Sequence, residues 1–165
     1  MKRFLLAPLA LLAFAACPLA AAPEYPKMGA DIYDTKADGN HQIANALKKA
    51  EPGHKHVLLM FGANWCIWCR RLHATLGQDD AVAKLLGEKF EVVLIDVNTR
   101  NGTKRNADVN ERYGNPIAHG LPVLVVLDAS GKQLTTQDTG ELESGDKHDP
   151  KKVLAFLEHW RPQQD

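Results

Sequence analysis

The sequence predicts an α/β domain in which central strands are covered by helices on both faces. Three observations lead there. Val57-Leu58-Leu59-Met60-Phe61, Val92-Val93-Leu94-Ile95 and the run from Pro122 to Leu127 are short and unbroken in apolar character, the pattern of strands buried on both sides. Amphipathic helical spacing surrounds them, at Ile43, Ala46, Leu47 and Ala50 and again at Val153, Leu154, Phe156, Leu157 and Trp160. No internal repeat, low-complexity tract or second hydrophobic span interrupts the order, so a single domain is expected from about residue 23 onward.

In chain order, residues 23–40 are polar and contain Pro and Gly, and read as an extended lead-in. The helix beginning near Ile43 is stopped by Pro52-Gly53. A first strand follows at 57–61, then a helix from Trp65 to Leu76. Asp79 is placed to cap a short helix through Ala81, Val82, Leu85 and Leu86. The second strand, 92–95, ends at Asp96-Val97-Asn98; residues 99–105 form a polar loop and 106–113 a weak helix. After the third strand, Asp128-Ala129-Ser130-Gly131-Lys132 is a hairpin turn into Gln133 to Thr136. Residues 140–148 read as mobile, solvated connecting chain, long enough to suit a partner contact. Asp149-Pro150 supplies an N-cap and a first-turn proline for the last helix.

The N-terminus predicts export. Lys2 and Arg3 precede the apolar stretch Phe4 to Ala16 and the small-residue segment Leu19-Ala20-Ala21-Ala22, the pattern of a cleavable secretory signal too short to span a membrane comfortably. The expected organisation is therefore a signal peptide at 1–22, a lead-in at 23–40 and a folded domain at 41–162, in the bacterial periplasm. Phe14-Ala15-Ala16-Cys17 also resembles a lipoprotein box, which would end the signal before Cys17 and make a membrane-anchored protein. The 20 basic and 20 acidic residues balance, and losing the signal leaves the chain slightly acidic. That balance excludes nucleic acid and anionic lipid as main partners. Membrane contact is expected only through a lipid on Cys17.

Ala63-Asn64-Trp65-Cys66-Ile67-Trp68-Cys69 follows the first strand directly and carries the chemistry. Residues three apart on a helix share a face, close enough for two sulfurs to bond. Cys66 would sit at the helix N-terminus, where free N–H groups and the dipole favour a thiolate; lowering a thiol pKa from about 8.5 to about 7 makes it half-ionised at neutral pH. Cys66 is thus the expected nucleophile and Cys69, one turn in, the resolving thiol. Other readings stand beside this one. A Cys-x-x-Cys pair is also half of a zinc site, and His73 or His119 would be the additional ligands of a copper or zinc carrier. A purely structural disulfide closing so short a loop would constrain the unfolded chain little.

The strand, helix, strand, hairpin and final helix, taken with these residues, resemble the thioredoxin-like superfamily from about Ile43 to Trp160. Trp65-Cys66-x-x-Cys69 is similar to the family's Trp-Cys-x-x-Cys motif, and Gly120-Leu121-Pro122-Val123 to its cis-proline loop. The turn at Asp128 to Lys132 and the final amphipathic helix are similar to its closing elements. The resemblance implies a thioredoxin fold, a mixed central sheet flanked by helices on both faces, with a cis bond at Leu121-Pro122. It also implies that Leu121 offers its backbone N–H and C=O to an extended substrate beside the cysteines. Trp65 would flank the disulfide and Trp68 grip apolar substrate, so Trp65, Trp68, Leu121 and Pro122 are the expected substrate-binding residues. Arg70 and Arg71 would add positive potential near Cys66, although basic residues on a helix more often form just a solvated face.

The implied function is protein thiol–disulfide exchange, in the reductive direction, with no organic cofactor and no metal. Its partners would be protein thiols and disulfides, and a membrane electron-relay protein as donor. A non-catalytic peptide-binding module on the same fold is the remaining alternative. Two departures from thioredoxin bear on the chemistry: Met60 stands where thioredoxin has a buried carboxylate, and Ile67-Trp68 replaces its Gly-Pro pair. The intervening pair tunes thiolate stability, and family potentials run from about −270 to about −120 mV.

Overall fold

The computed structural model describes residues 28–163. The expected signal peptide, Cys17 and the start of the lead-in lie outside the described residues. Asp38 accepts the His41 N–H and opens α1 (Gly39–Ala50), which starts within the span expected as lead-in because the cap, not the first apolar residue, sets the helix end. Then come β1 (His56–Gly62), α2 (Ile67–Gln78), α3 (Asp80–Lys89), β2 (Phe90–Asp96), α4 (Ala107–Arg112), β3 (Val123–Leu127), β4 (Gln133–Asp138), β5 (Glu143–Ser144), β6 (Lys147–His148) and α5 (Pro150–Trp160). Asp79 caps α3 through the N–H groups of Ala81 and Val82, and Asp149 caps α5 ahead of Pro150, as their sequence signals require.

The main sheet runs β2-β1-β3-β4. β1 is parallel to β2 and antiparallel to β3, and β3 is antiparallel to β4, so the sheet is mixed. Alternation along the central strand β1 divides the core. Leu58 and Met60 face Leu72, Leu76, Val82, Leu86, Val153, Phe156 and Leu157 on α2, α3 and α5. Val57, Leu59 and Phe61 face Ile43, Ala46 and Ala50 on α1 and Val109 on α4. Helices thus cover both faces, as the unbroken apolar runs require. β2 departs from the expectation of complete burial: it is an edge strand, and Val92 is 42% exposed.

The segment expected to be solvated chain at 140–148 is ordered and largely structural. It holds a 3-10 turn (Thr139–Leu142) and the antiparallel pair β5–β6, with Leu142 and His148 buried. Lys152 Nζ donates to the carbonyls of Glu141 and Glu143, and Thr75 Oγ1 to that of His148, tying the segment to α5 and α2. Its polar composition conceals this, since the groups that order it come from helices elsewhere in the chain.

Candidate active site

β1 ends at Gly62, and the chain turns through Ala63-Asn64-Trp65 into α2 with Cys66 as its N-cap. Cys66 and Cys69 are disulfide-bonded, their Cα atoms 5.2 Å apart. The Cys69 N–H points at Cys66 Sγ from 3.1 Å, so the first sulfur receives the donor that an N-cap oxygen would normally receive. Cys66 is 6% exposed and Cys69 is fully buried, so Cys66 is the more accessible of the two sulfurs.

Opposite the pair, the Leu121-Pro122 bond is cis, and Cys66 Sγ lies 3.7 Å from the Leu121 carbonyl oxygen. Leu121 is half-buried and packs against both halves of the core. Thr139 Oγ1 donates to the buried Pro122 carbonyl and holds the loop from the side of β4.

The two tryptophans have different settings. Trp65 Nε1 donates to Asn98 Oδ1 at 2.7 Å, and the Arg100 guanidinium lies 3.7 Å from the indole centroid, pinning the ring to the loop after β2. Trp68 is partly buried: its ring meets the His148 imidazole edge to face, and Arg71 lies 4.6 Å from its centroid. The exposed apolar side chain of the motif is Ile67, at 48%. His148 is fully buried, and burial above all, with the Arg71 charge second, lowers its pKa to about 4. His73 and His119 are surface residues. Among the described residues no group of three or more His, Cys, Asp or Glu side chains stands together, so neither histidine is brought to the cysteine pair.

Behind the disulfide the structure assembles residues that sequence reasoning passed over. Asn64, 1% exposed, accepts the Ile32 and Tyr33 N–H groups on its Oδ1 and donates from Nδ2 to the Tyr33 carbonyl, each at 2.9 Å. Arg70 donates from Nε to the Asn64 carbonyl and from Nη1 to that of Ala30. Arg70 therefore binds the lead-in rather than simply standing on a solvated helix face. These bonds drive Tyr33 inward until it is 2% exposed, near Gly62. Burial, with Asp96 nearby, raises its phenol pKa far above the ordinary value. At the C-terminal end of β2, Asp96 is buried and paired with Arg105. One sequence signal marked the lead-in, the apolar pair Ile32-Tyr33 within polar chain; its partner Asn64 lies 31 residues beyond Tyr33.

The profile of the Thioredoxin-like domain family matches residues 43–150. A solved disulphide isomerase from Xylella fastidiosa Temecula1 is 36% identical, superposes with a TM-score of 0.69, and shares 79% of this chain and 96% of its own. The disulfide bond reductase DsbH of Chlamydia pneumoniae is 30% identical over 97 residues, covering 55% of this chain and 57% of that protein. The thiol:disulfide interchange protein DsbD of Actinobacillus pleuropneumoniae serotype 5b is 32% identical over 91 residues, 54% of this chain and 15% of that protein. The match thus spans little over half of the first curated relative and a small part of the second.

Proposed function

The chain belongs to the thioredoxin-like domain family, and on that premise we propose that it is a thiol–disulfide oxidoreductase of the bacterial cell envelope, acting as a reductase of protein disulfides. The observation that carries this reading is the Cys66–Cys69 disulfide at the mouth of α2, with the more accessible sulfur facing the Leu121 carbonyl. In the reduced protein the Cys66 thiolate attacks a substrate disulfide and forms a mixed disulfide. Cys69 then attacks Cys66 Sγ, restoring the Cys66–Cys69 bond and releasing the substrate sulfur as a thiolate. Helix N-terminal N–H groups, that of Cys69 foremost, stabilise the Cys66 thiolate.

The backbone of Leu121 and the ring of Pro122 form the floor on which an extended substrate segment lies beside Cys66. Trp65 shields the disulfide from the side of Asn98, and Trp68 offers the unburied part of its indole to apolar substrate. The chemistry needs no organic cofactor or metal: electrons enter as a thiol pair from a membrane electron-relay protein and leave to protein disulfides. The reductive direction is supported by the relative named a disulfide bond reductase, and the envelope location by the secretory pattern at residues 1–22. We carry forward the organisation of signal (1–22), lead-in (23–40) and domain (41–162), the lead-in packing on the site it precedes. Among the described residues no helix is long and apolar enough to cross a membrane.

Equilibration of the Cys66–Cys69 couple against dithiothreitol and glutathione buffers tests this reading. A potential near or below about −270 mV supports a reductase; one near −120 mV reverses the direction of electron flow. The absence of any reversible couple overturns the proposal.

A further inference from the structure

Attack on Cys66 Sγ by a reducing dithiol expels the bonding electron pair onto Cys69 Sγ. That sulfur is fully buried, among Leu58, Met60, Leu72 and other apolar side chains. An anion appearing there without a donor is strongly disfavoured. The N-terminal amides of α2 do not solve the problem, because the motif's own N–H points at Cys66 Sγ and not at Cys69 Sγ. Met60 leaves the strand below without the carboxylate that thioredoxin has.

A polar group does stand close to this sulfur, from outside the residues matched by the family profile. A Cβ placed on Gly62 would lie 2.2 Å from Tyr33 Oη and 2.6 Å from Cys69 Sγ, so the hydroxyl and the sulfur crowd one point that only a glycine leaves open. Tyr33 Oη is buried and has no hydrogen-bond partner among the described residues while the disulfide is intact. A buried, unpartnered hydroxyl is costly unless some state of the protein supplies its acceptor. Asn64 and Arg70 hold Tyr33 and the chain just before it to the disulfide loop and α2, so the residue is placed by four hydrogen bonds and an apolar packing site.

We propose that Tyr33 is a catalytic hydrogen-bond donor to Cys69: its O–H engages Cys69 Sγ when the Cys66–Cys69 bond opens and stabilises the thiolate formed there. This rests on the thiol–disulfide exchange assigned above. On reduction, a donor thiolate bonds to Cys66 Sγ, the Cys66–Cys69 bond breaks, and the electron pair resides on Cys69 Sγ under the Tyr33 O–H. The donor's second thiolate then displaces Cys66, leaving the donor oxidised to its disulfide. In the resolving direction the Cys69 thiolate attacks the mixed disulfide, Cys66–Cys69 re-forms, and the partner sulfur leaves with the electron pair. Tyr33 keeps its proton throughout. Burial and the nearby Asp96 carboxylate, itself paired with Arg105, both disfavour tyrosinate and keep the group a donor. The charged groups about the site are Asp96 and Arg105 on the β2 side, Arg70 on α2 and its ion-pair partner Asp31 in the lead-in, and Tyr33 supplies a neutral donor close to the sulfur.

The test is the pH titration of the Cys69 ¹³Cβ resonance in the reduced full chain, for wild type and Tyr33→Phe. The phenyl ring preserves the packing. Loss of one hydrogen bond to a charged sulfur is expected to raise the Cys69 midpoint by about one pH unit, a tenfold loss of thiolate in the titrating range. An unchanged Cys69 midpoint overturns the proposal. A second measurement needs no variant: in wild type the Tyr33 ¹³Cζ resonance is expected to move with the Cys69 midpoint, and a resonance that stays still across that titration overturns the proposal equally. Both readouts use protein reduced by a phosphine and no partner. Failure to turn over a protein disulfide would therefore count against the assigned function, whereas a silent Tyr33 counts against this inference alone.

Discussion

The Trp68 indole meets the His148 imidazole edge to face, ring centroids 5.7 Å apart and planes at 87°, and this contact joins the dipeptide between the two cysteines to the β5–β6 hairpin. Both imidazole nitrogens are buried and have no hydrogen-bond partner among the described residues, and Glu143 Oε1 stands 3.9 Å from Nε2. Because the folded pKa is lowered to about 4 from 6.5, the folded protein resists protonation that the unfolded chain accepts. Above pH 6.5 the histidine is neutral in both states and stability is independent of it. Between 6.5 and 4 the unfolded state binds more protons, so stability falls with falling pH, by up to about 1.4 kcal/mol per unit. Urea unfolding at pH 7 and pH 5 is expected to show this loss in wild type and a shallower one in His148→Phe. Equal pH slopes for the two proteins would remove His148 as the cause.

Gly62 is where Tyr33 and Cys69 converge, and alanine there is expected to destabilise the protein by about 1–3 kcal/mol through overpacking. Tyr33→Phe should relieve the variant only partly. It removes the hydroxyl at 2.2 Å but leaves Tyr33 Cζ at 2.7 Å and Cys69 Sγ at 2.6 Å from the added methyl. A double-mutant cycle by denaturant titration measures the coupling; strict additivity would mean that the three groups do not share the space described.

Replacing Cys69 by serine removes the thiol proposed to resolve the mixed disulfide and keeps the more accessible one. Reduced Cys69→Ser protein mixed with a disulfide-bonded model peptide is expected to accumulate a mixed disulfide at Cys66, seen by mass spectrometry and lost on adding dithiothreitol. Cys66→Ser is expected to form no such adduct and to reduce the turnover of peptide disulfide to the uncatalysed rate. An adduct at Cys69 in the Cys66→Ser protein, formed as fast, would reverse the assignment of roles.

Much of this molecule is legible in its sequence because the decisive signals are local. Val57 to Phe61 announces a central strand, Asp79 and Asp149 announce helix starts, and Trp65-Cys66 with Leu121-Pro122 announces the two loops that meet. What stayed hidden depends on partners distant in the chain. The helix position of Trp68 leaves an exposed and a partly buried ring equally open, and β6 decides between them by delivering His148 against the indole while Ile67 takes the exposed position. Residues 140–148 look solvated by composition, yet His148 is buried because α2 and α5 supply the hydrogen bonds that close the segment over it. Val92 looks as buried as Val57, and only the strand order shows that it lies on the sheet edge.

Asn64 gives the strongest check on the lead-in's place in the fold. Its amide makes three hydrogen bonds to the backbone of Ile32 and Tyr33, and its own backbone carbonyl accepts from Arg70. Alanine at this position takes away the acceptor for two N–H groups and the donor for one carbonyl in a site largely closed to solvent. At about 1 kcal/mol for each bond, the loss is roughly 3 kcal/mol if the segment stays docked. Undocking is the alternative outcome, since residues 28–38 form no helix or strand of their own to hold them. Hydrogen exchange separates these responses. In wild type the Ile32 and Tyr33 amides are expected to be protected together with β1. In Asn64→Ala, docked residues would lose protection in step with the lowered global stability, whereas an undocked segment would exchange at the rate of free chain while β1 keeps its protection. Retention of wild-type protection at Ile32 and Tyr33, with an unchanged unfolding midpoint, would show that the amide does not hold this segment.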